Sequence, residues 1–407
     1  MSRKEEFVML TQETIDIIKS TVPVLEVHGK EITTVFYQLL FENHPELLNI
    51  FNHANQREGK QQTALANAVY AAAAHIDHLE NILPAVKQIA QKHRALNVKP
   101  EHYPIVGENL LAAIKTVLGD AATPEIINAW AEAYGVIADA FIGVEAEMYR
   151  EAENAPGGWA GFRPFVVERK VKESDVITSF YLKPRDGGAI SSYLPGQYIT
   201  VRVKPENQPY AQIRHYSLSA APGGDSYRIS VKRESGAPGK PDGVVSTYLH
   251  DRIHEGDVIE ISAPAGSFTL DTSKSIPLVL ISGGVGLTPM ASMLETVLKE
   301  QPERKVTFIH AAINESFHAM REHVEQLDAS HDNLKSYICY EKPLGQVACH
   351  KTGYIDLPWL QEITSQDSDF YFCGPVPFMS AVNKALKEWG VPEERIHYEF
   401  FGPAGTL

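Results

Sequence analysis

The stretch PLVLISGGVGLTPMASMLETVL, residues 277–298, joins an apolar strand to a helix through a glycine-rich turn. Gly283, Gly284 and Gly286 leave that turn without side chains, so backbone can approach a pyrophosphate at the positive end of the following helix. The same turn can also serve strand-to-helix packing with no ligand, and its meaning depends on its neighbours. Downstream, KVTFIHAA (305–312), KSYICY (335–340) and DFYFCGP (369–375) read as strands alternating with helical segments. That alternation predicts an α/β parallel-sheet domain over 271–407.

Upstream the texture changes. The runs VITSFYLKP (176–184), QYITVRVKP (197–205), YRISVKRE (227–234) and DVIEISAP (257–264) are short, β-branched or aromatic, and separated by Gly, Pro and Asp turns. They predict an antiparallel β-barrel over 151–270. Its leading segment, EAENAPGGWAGFRP (151–164), has the Pro and Gly content of an interdomain joint. Residues 1–150 differ again: QQTALANAVYAAAAHIDHLENIL (61–83) and TPEIINAWAEAYGVIADAFIGVEAEMYR (123–150) carry apolar residues at three- and four-residue spacing. They predict an all-α domain of six to eight helices. Thr11 is placed to cap the first, and Pro45, Pro84, Pro100 and Pro124 mark starts or breaks. The chain is thus multidomain.

Composition narrows the chemistry. A net charge of −14 over 407 residues disfavours nucleic acid and anionic membrane surfaces, leaving small molecules as partners. With 44% apolar and 22% charged residues the usage is ordinary for a globular protein. Cys339, Cys349 and Cys373 match neither a disulfide framework nor a zinc ribbon, which fits a reducing cytosol. The N-terminus turns polar before a signal h-region is reached, and no run of about 18 apolar residues follows. A cytoplasmic protein without stable membrane association is expected.

In PAVKQIAQKHRAL (84–96), Val86, Ile89, His93 and Leu96 share one helical stripe, so His93 faces apolar surroundings and its imidazole needs a partner. An isolated histidine so placed reads as a hydrogen-bonded core residue, the expectation for His75 and His78.

Taken in order, PGQY (195–198), RHYS (214–217), LISGGVGLTP (280–289) and YFCGP (371–375) resemble the ferredoxin–NADP reductase-like superfamily of flavin reductases, over about residues 160–407. Alone, Tyr198 and Tyr216 read as half-buried barrel tyrosines; the ordered set gives them a second role. The resemblance implies an FAD site in which Arg214 neutralises the pyrophosphate, Tyr216 lies against the isoalloxazine, Ser217 bonds the flavin edge, and Tyr198 and His215 complete the strand motif. It implies that GVVSTYLH (243–250) brings amides and Ser246 to the FAD phosphates. Gly284, Val285, Gly286, Leu287, Thr288 and Pro289, with Cys373, Gly374 and Pro375, would hold NAD(P)H, without Cys373 acting as a nucleophile. The closing HYEFFGP (397–403) resembles the motif whose aromatic ring covers the flavin. Phe401 is the candidate cover, Phe400 the better fit to an apolar strand end, Glu399 a charge near the flavin, and Gly402 and Pro403 complete the motif.

The segments VFYQLLFENHPELLNIFN (35–52), ANQREGKQ (54–61), KPEHYPIVGENLL (99–111) and AWAEAYGVIADAFIGVEAEMY (129–149), around His93, resemble the globin domain of bacterial flavohaemoglobins. The resemblance implies haem b with His93 as iron ligand, Tyr37 as distal tyrosine, Gln61 as distal glutamine and Leu65 over the haem. Glu145 and Tyr103 would hydrogen-bond His93 and raise its electron donation to iron. Lys92 would lie near the junction with the flavin, or simply in solvent. Together the two resemblances cover nearly the whole chain and imply a nitric oxide dioxygenase: NAD(P)H reduces FAD, FAD reduces haem, and O2 with NO gives nitrate. They leave open an oxygen or NO carrier or sensor with an attached haem-reducing reductase, and a flavin reductase with an inert globin relic. A monomer is expected. The residue where Phe400 stands and the long SGAPGKPDGV loop (235–244) depart from the family pattern without touching the chemistry.

Overall fold

In a computed structural model, residues 10–236, 238–239 and 241–402 are described. The chain forms two compact units, one running to Asn154 and including Lys204–Ile213, the other comprising Ala155–Val203 and Arg214 onward.

The first unit is helical: α1 (Gln12–Ser20), α2 (Val22–Asn43), α3 (His53–Arg57), α4 (Lys60–Ala74), α5 (Leu83–Leu96), α6 (His102–Leu118) and α7 (Pro124–Asn154). Thr11 caps α1, its hydroxyl accepting from Thr14 N, and proline stands at the first turn of α2 and α5, where its missing N–H costs nothing. The apolar stripes meet in one core built from Ile18, Ile32, Phe36, Tyr37, Leu110 and Trp130 with their neighbours. His75 and His78 depart from expectation. Helix α4 stops at Ala74, so both fall in the exposed turn beyond it, and His78 Nδ1 lies 3.1 Å from Glu80 instead of in a core.

The second unit opens with β1 (Phe162–Lys172), β2 (Ile177–Pro184), β3 (Tyr198–Val203), β4 (Gln212–Ser217) and β5 (Tyr227–Lys232), then α8 (Val244–Arg252) and β6 (Val258–Ser262). Their order in the sheet is β4-β3-β6-β1-β2-β5, and an antiparallel bridge from Leu218 to Ile229 joins the two edges. Closing the edges in this way produces the expected barrel. Alternate residues, among them Phe165, Val167, Phe180, Leu182, Ile199 and Val201, are buried inside it.

There follow β7 (Leu278–Gly283), α9 (Leu287–Glu300), β8 (Val306–Ala312), α10 (Arg321–Ser330), β9 (Leu334–Tyr340), β10 (Lys351–Thr352), α11 (Leu357–Ile363), β11 (Asp369–Cys373), α12 (Val376–Trp389) and β12 (Ile396–Tyr398). All the paired strands run parallel, in the order β10-β9-β8-β7-β11-β12. Leu278 and Leu280 enter the core shared with α9, while Val279 and Ile281 enter the core shared with α12, so both faces of β7 are covered. The direction of strand addition reverses between β7 and β11, which opens a crevice at their carboxyl ends.

Candidate functional sites

Two constellations stand in the helical unit. The first is built on His93, in the last turn of α5, a helix stopped by Asn97 in left-handed conformation (φ 62°). His93 Nδ1 lies 2.7 Å from Glu145 Oε1 and 3.2 Å from the Tyr103 hydroxyl, which itself donates to the same oxygen at 2.6 Å. Glu145 on α7 is 2% exposed and Tyr103 on α6 is buried. A carboxylate left there alone would be costly, and two donors satisfy it. Burial, reinforced by Glu145, holds the Tyr103 hydroxyl far above its ordinary pKa, so it remains a proton donor. The Tyr149 hydroxyl donates to Val98 O at 2.6 Å and fixes the chain just beyond His93. With Nδ1 engaged by a carboxylate, Nε2 is the ring nitrogen that can bind a metal, as in carboxylate–histidine–metal arrangements. Lys92, the preceding residue, is half-buried.

The second constellation surrounds Tyr37 on α2, whose ring packs against Phe36, Phe41 and Phe51. Burial raises its hydroxyl well above the ordinary phenol range, opposed by the amides of Gln61 in the first turn of α4 and of Gln56 in α3. Gln56 Nε2 is buried without a hydrogen-bond partner among the described residues. Leu65, one turn after Gln61, is half-buried against the same core. A nitrogen ligand backed by a buried carboxylate, together with a buried phenol and an unsatisfied amide donor, fits haem b and a polar diatomic ligand. Gln56 escapes the sequence reading because a glutamine in a short polar helix carries no pattern.

In the second unit, β4 alternates. Arg214 and Tyr216 project to one face, and the positive charge of Arg214 opposes the rise that burial imposes on the Tyr216 hydroxyl. His215 projects to the other face, its Nδ1 2.8 Å from the Thr200 hydroxyl and its ring centroid 4.7 Å from that of Tyr198. Ser217, at the end of the strand, is buried. Helix α8, beside β5, has Gly243 as its N-cap and no side-chain cap, leaving its first amides open to an anion. The Ser246 hydroxyl is engaged locally, accepting from Glu234 N and donating to Gly243 O. Thr247 Oγ1, by contrast, is buried and has no partner among the described residues. Thus of the two adjacent hydroxyls in the α8 turn that of Ser246 is engaged and that of Thr247 is not, among the described residues, a distinction invisible in the motif.

The glycine-rich turn and the end of β11 meet. A Cβ on Gly286 would stand 2.1 Å from the Cys373 carbonyl oxygen, so only glycine lets these segments close, and Gly284 has φ +54°. Val285 is half-buried, Leu287, Thr288 and Pro289 are buried, and the Thr288 hydroxyl donates to Val285 O. Helix α9 starts at Leu287 without a side-chain cap, opposite Gly374 and Pro375. The Cys373 thiol is fully buried and pushed well up by burial, then by Glu399, which disfavours the thiolate. It donates to Glu399 O at 3.5 Å, tying the C-terminal segment to this crevice. Phe400 packs into the core beside α12, whereas Phe401 is 49% exposed. Glu399 is half-buried and Gly402 exposed; Pro403 lies outside the described residues.

A helical unit with a carboxylate-backed histidine, followed by a flavin-type barrel and a dinucleotide-type α/β sheet, defines a haem globin joined to a flavin reductase. Comparisons with known proteins agree: residues 34–141 match the globin family, 164–270 an oxidoreductase FAD-binding domain and 280–384 an oxidoreductase NAD-binding domain. The chain is 59% identical to the flavohemoprotein of Bacillus thuringiensis subsp. konkukian, with 98% of this chain and 100% of that protein aligned. To the Bacillus subtilis flavohemoprotein it is 55% identical, over 98% and 99%. A crystal structure of flavohemoglobin from Malassezia yamatoensis with bound FAD and heme superposes with a TM-score of 0.84 at 27% identity, covering 97% of this chain and 100% of that one. The FAD/NAD-binding domain of a nitric oxide dioxygenase from Vibrio cholerae superposes at 0.54 and 43% identity, covering 59% and 99%. The chain belongs to the flavohaemoprotein family.

Proposed function

We infer that this flavohaemoprotein is a nitric oxide dioxygenase that converts NO and O2 to nitrate at the expense of NAD(P)H, and so detoxifies NO. Haem b, FAD and the nicotinamide nucleotide supply the oxygen-activating iron and its electrons. The chain's own residues do the rest. His93, with Nδ1 engaged by Glu145, would hold the haem iron through Nε2. Glu145, 2.7 Å from Nδ1, draws the imidazole proton and raises the ring's donor strength, with Tyr103 steadying the carboxylate. Tyr37 stays protonated in its buried setting and directs a hydrogen bond to substrate oxygen, where negative charge develops. Gln61 and Leu65 shape the same side.

In the reductase, Arg214 and the α8 amides take the FAD pyrophosphate, Tyr216 and Ser217 orient the ring, and Tyr198 and His215 brace the strand. Gly284–Pro289 and Cys373–Pro375 form the nucleotide cradle, with Glu399 and Phe401 at its mouth. The division is a globin domain over 1–150, an FAD-binding barrel over 151–270 and an NAD(P)H-binding domain over 271–407. O2 and NO are its small-molecule partners, and it works as a cytoplasmic monomer. Among the described residues no helix is long and apolar enough to cross a membrane.

The observation that carries this reading is the His93–Glu145 pair, because strong proximal donation suits oxygen chemistry better than reversible storage. The test is consumption of NO by the purified holoprotein. Rapid loss of NO that requires both O2 and NADH, abolished in His93→Ala, is expected. Slow NO uptake unaffected by NADH would make it a carrier, and a holoprotein without a haem Soret band would make it a flavin reductase.

A further inference from the structure

A phenol can serve as donor or acceptor, and which it offers a ligand depends on where its hydrogen points. The aromatic packing around Tyr37 fixes the ring but leaves the hydroxyl rotor undetermined. Something must accept or donate on the protein side to set it.

Gln56 in α3 is such a group, and the sequence alone assigns it no role. Helix α3 is held at its start by Asn52, whose Oδ1 accepts from Ala54 N and Asn55 N, and Gln56 N bonds to Asn52 O. The Gln56 side chain is oriented from the next helix: Gln62 Nε2 lies 3.2 Å from both Gln56 O and Gln56 Oε1. A flip of the Gln56 amide would set two NH2 groups against each other, so Nε2 is turned away from Gln62. That atom is buried, lacks a hydrogen-bond partner among the described residues, and belongs to one of the two amides that face Tyr37. An unsatisfied buried donor is costly, so this one calls for an acceptor.

We propose that Gln56 is a positioning residue for the dioxygenase reaction: its Nε2–H donates into a lone pair of the Tyr37 oxygen, so that the Tyr37 hydrogen is turned toward the ligand pocket, with Gln62 locking the amide in that sense. Donation into the oxygen also polarises the O–H bond and strengthens it as a donor. The proposal rests on Tyr37 being the distal donor, and the experiment separates the two claims.

The readout is the C–O stretching frequency of the ferrous carbonyl holoprotein, which rises when a donor to the bound ligand is lost, together with the oxygen dissociation rate. Tyr37→Phe is expected to raise the frequency. Gln56→Leu should raise it in the same direction by a smaller amount and speed oxygen release about two- to tenfold, the worth of one neutral hydrogen bond. In the Tyr37→Phe background Gln56→Leu should add nothing, because its action passes through that hydroxyl. Gln62→Leu, which leaves Gln56 in place but frees its amide to flip, should give a partial shift and decides the matter if Gln56→Leu does not take up haem. An unchanged frequency in Tyr37→Phe would overturn the distal assignment and the proposal with it. A shift in Tyr37→Phe with none in Gln56→Leu, or with the two effects adding in full, would overturn the Gln56 assignment alone.

Discussion

Glu145 and His93, 52 positions apart in sequence and carried on different helices, are joined by a 2.7 Å contact between Oε1 and Nδ1. The carboxylate is 2% exposed, so its charge is spent on the imidazole and on Tyr103 instead of on water. Low local dielectric makes that pairing strong. Glu145→Gln keeps the shape and removes the charge. We expect the iron–histidine stretching frequency of the ferrous protein to fall and NO turnover to drop about tenfold, roughly 1.4 kcal/mol of barrier. Resonance Raman and NO-electrode measurements on the same preparation check both.

Tyr37→Phe removes one hydroxyl from a buried, aromatic-lined site and leaves the packing nearly intact. A hydrogen bond to a developing negative charge is worth about 1.5–3 kcal/mol. NO dioxygenation should therefore slow by about 10- to 100-fold while haem content and NADH-dependent flavin reduction stay at wild-type levels. Stopped-flow oxygen dissociation should accelerate over a similar range.

The nucleotide cradle makes a contrast between neighbouring glycines. Gly286→Ala would drive a Cβ to 2.1 Å from the Cys373 carbonyl, whereas Gly284→Ala meets no atom within 4 Å and bears only the strain of a positive φ. The first should cost about 1–3 kcal/mol of stability through overpacking and raise KM for NADH sharply. The second should cost about 1–2 kcal/mol with a smaller rise in KM. Thermal unfolding and initial-rate kinetics of the two variants side by side distinguish them.

Acid should weaken the reductase through two histidines that bind no proton in the fold. His310, 1% exposed, is pushed down to about 4 by burial; His318 is pushed down to about 2 by burial, then by His310 and Arg321. Unfolded, each takes up a proton near pH 6.5. Between those limits the unfolded chain holds more protons, so stability is fully present above pH 6.5 and declines as the pH falls. The contribution of His310 levels off near pH 4 after a loss of about 3 kcal/mol, because each pH unit separating its folded and unfolded values is worth about 1.4 kcal/mol. Urea unfolding followed by flavin fluorescence from pH 7.5 to 4.5 should show that decline, and His310→Gln should flatten it. An identical slope in the variant would place the acid sensitivity elsewhere.

Much of this architecture is legible in the chain because it depends on periodicity and on punctuation. Thr11, Pro84 and Pro124 mark helix starts that the structure uses, and the runs 176–184, 197–205, 227–234 and 257–264 become β2, β3, β5 and β6 with only end residues trimmed. His93, Glu145 and Tyr103 are legible for a different reason: their neighbouring segments carry a family resemblance, and the fold brings the three together. What escapes is set by tertiary contact. Nothing local says that the Ser246 hydroxyl is engaged by Glu234 N while that of Thr247 next to it has no partner among the described residues, nor that Gln62 aims Gln56. Barrel closure through Leu218 and Ile229 is equally hidden, since a strand pattern records which residues alternate and not which edge each strand meets.

Electron delivery can be followed without turnover. Anaerobic titration of the holoprotein with NADH should bleach the flavin and convert the haem to its ferrous spectrum together, and the carbonyl band should appear on adding CO. Flavin bleaching with the haem left ferric would sever the reductase from the oxygen chemistry.

The most direct test of the dioxygenase reading is the fate of labelled oxygen. Holoprotein turning over NADH and NO under 18O2 should form nitrate that carries both atoms of one O2 molecule, at a rate matching NO loss. Nitrate with one labelled oxygen, or NO consumed with no nitrate formed, would contradict it.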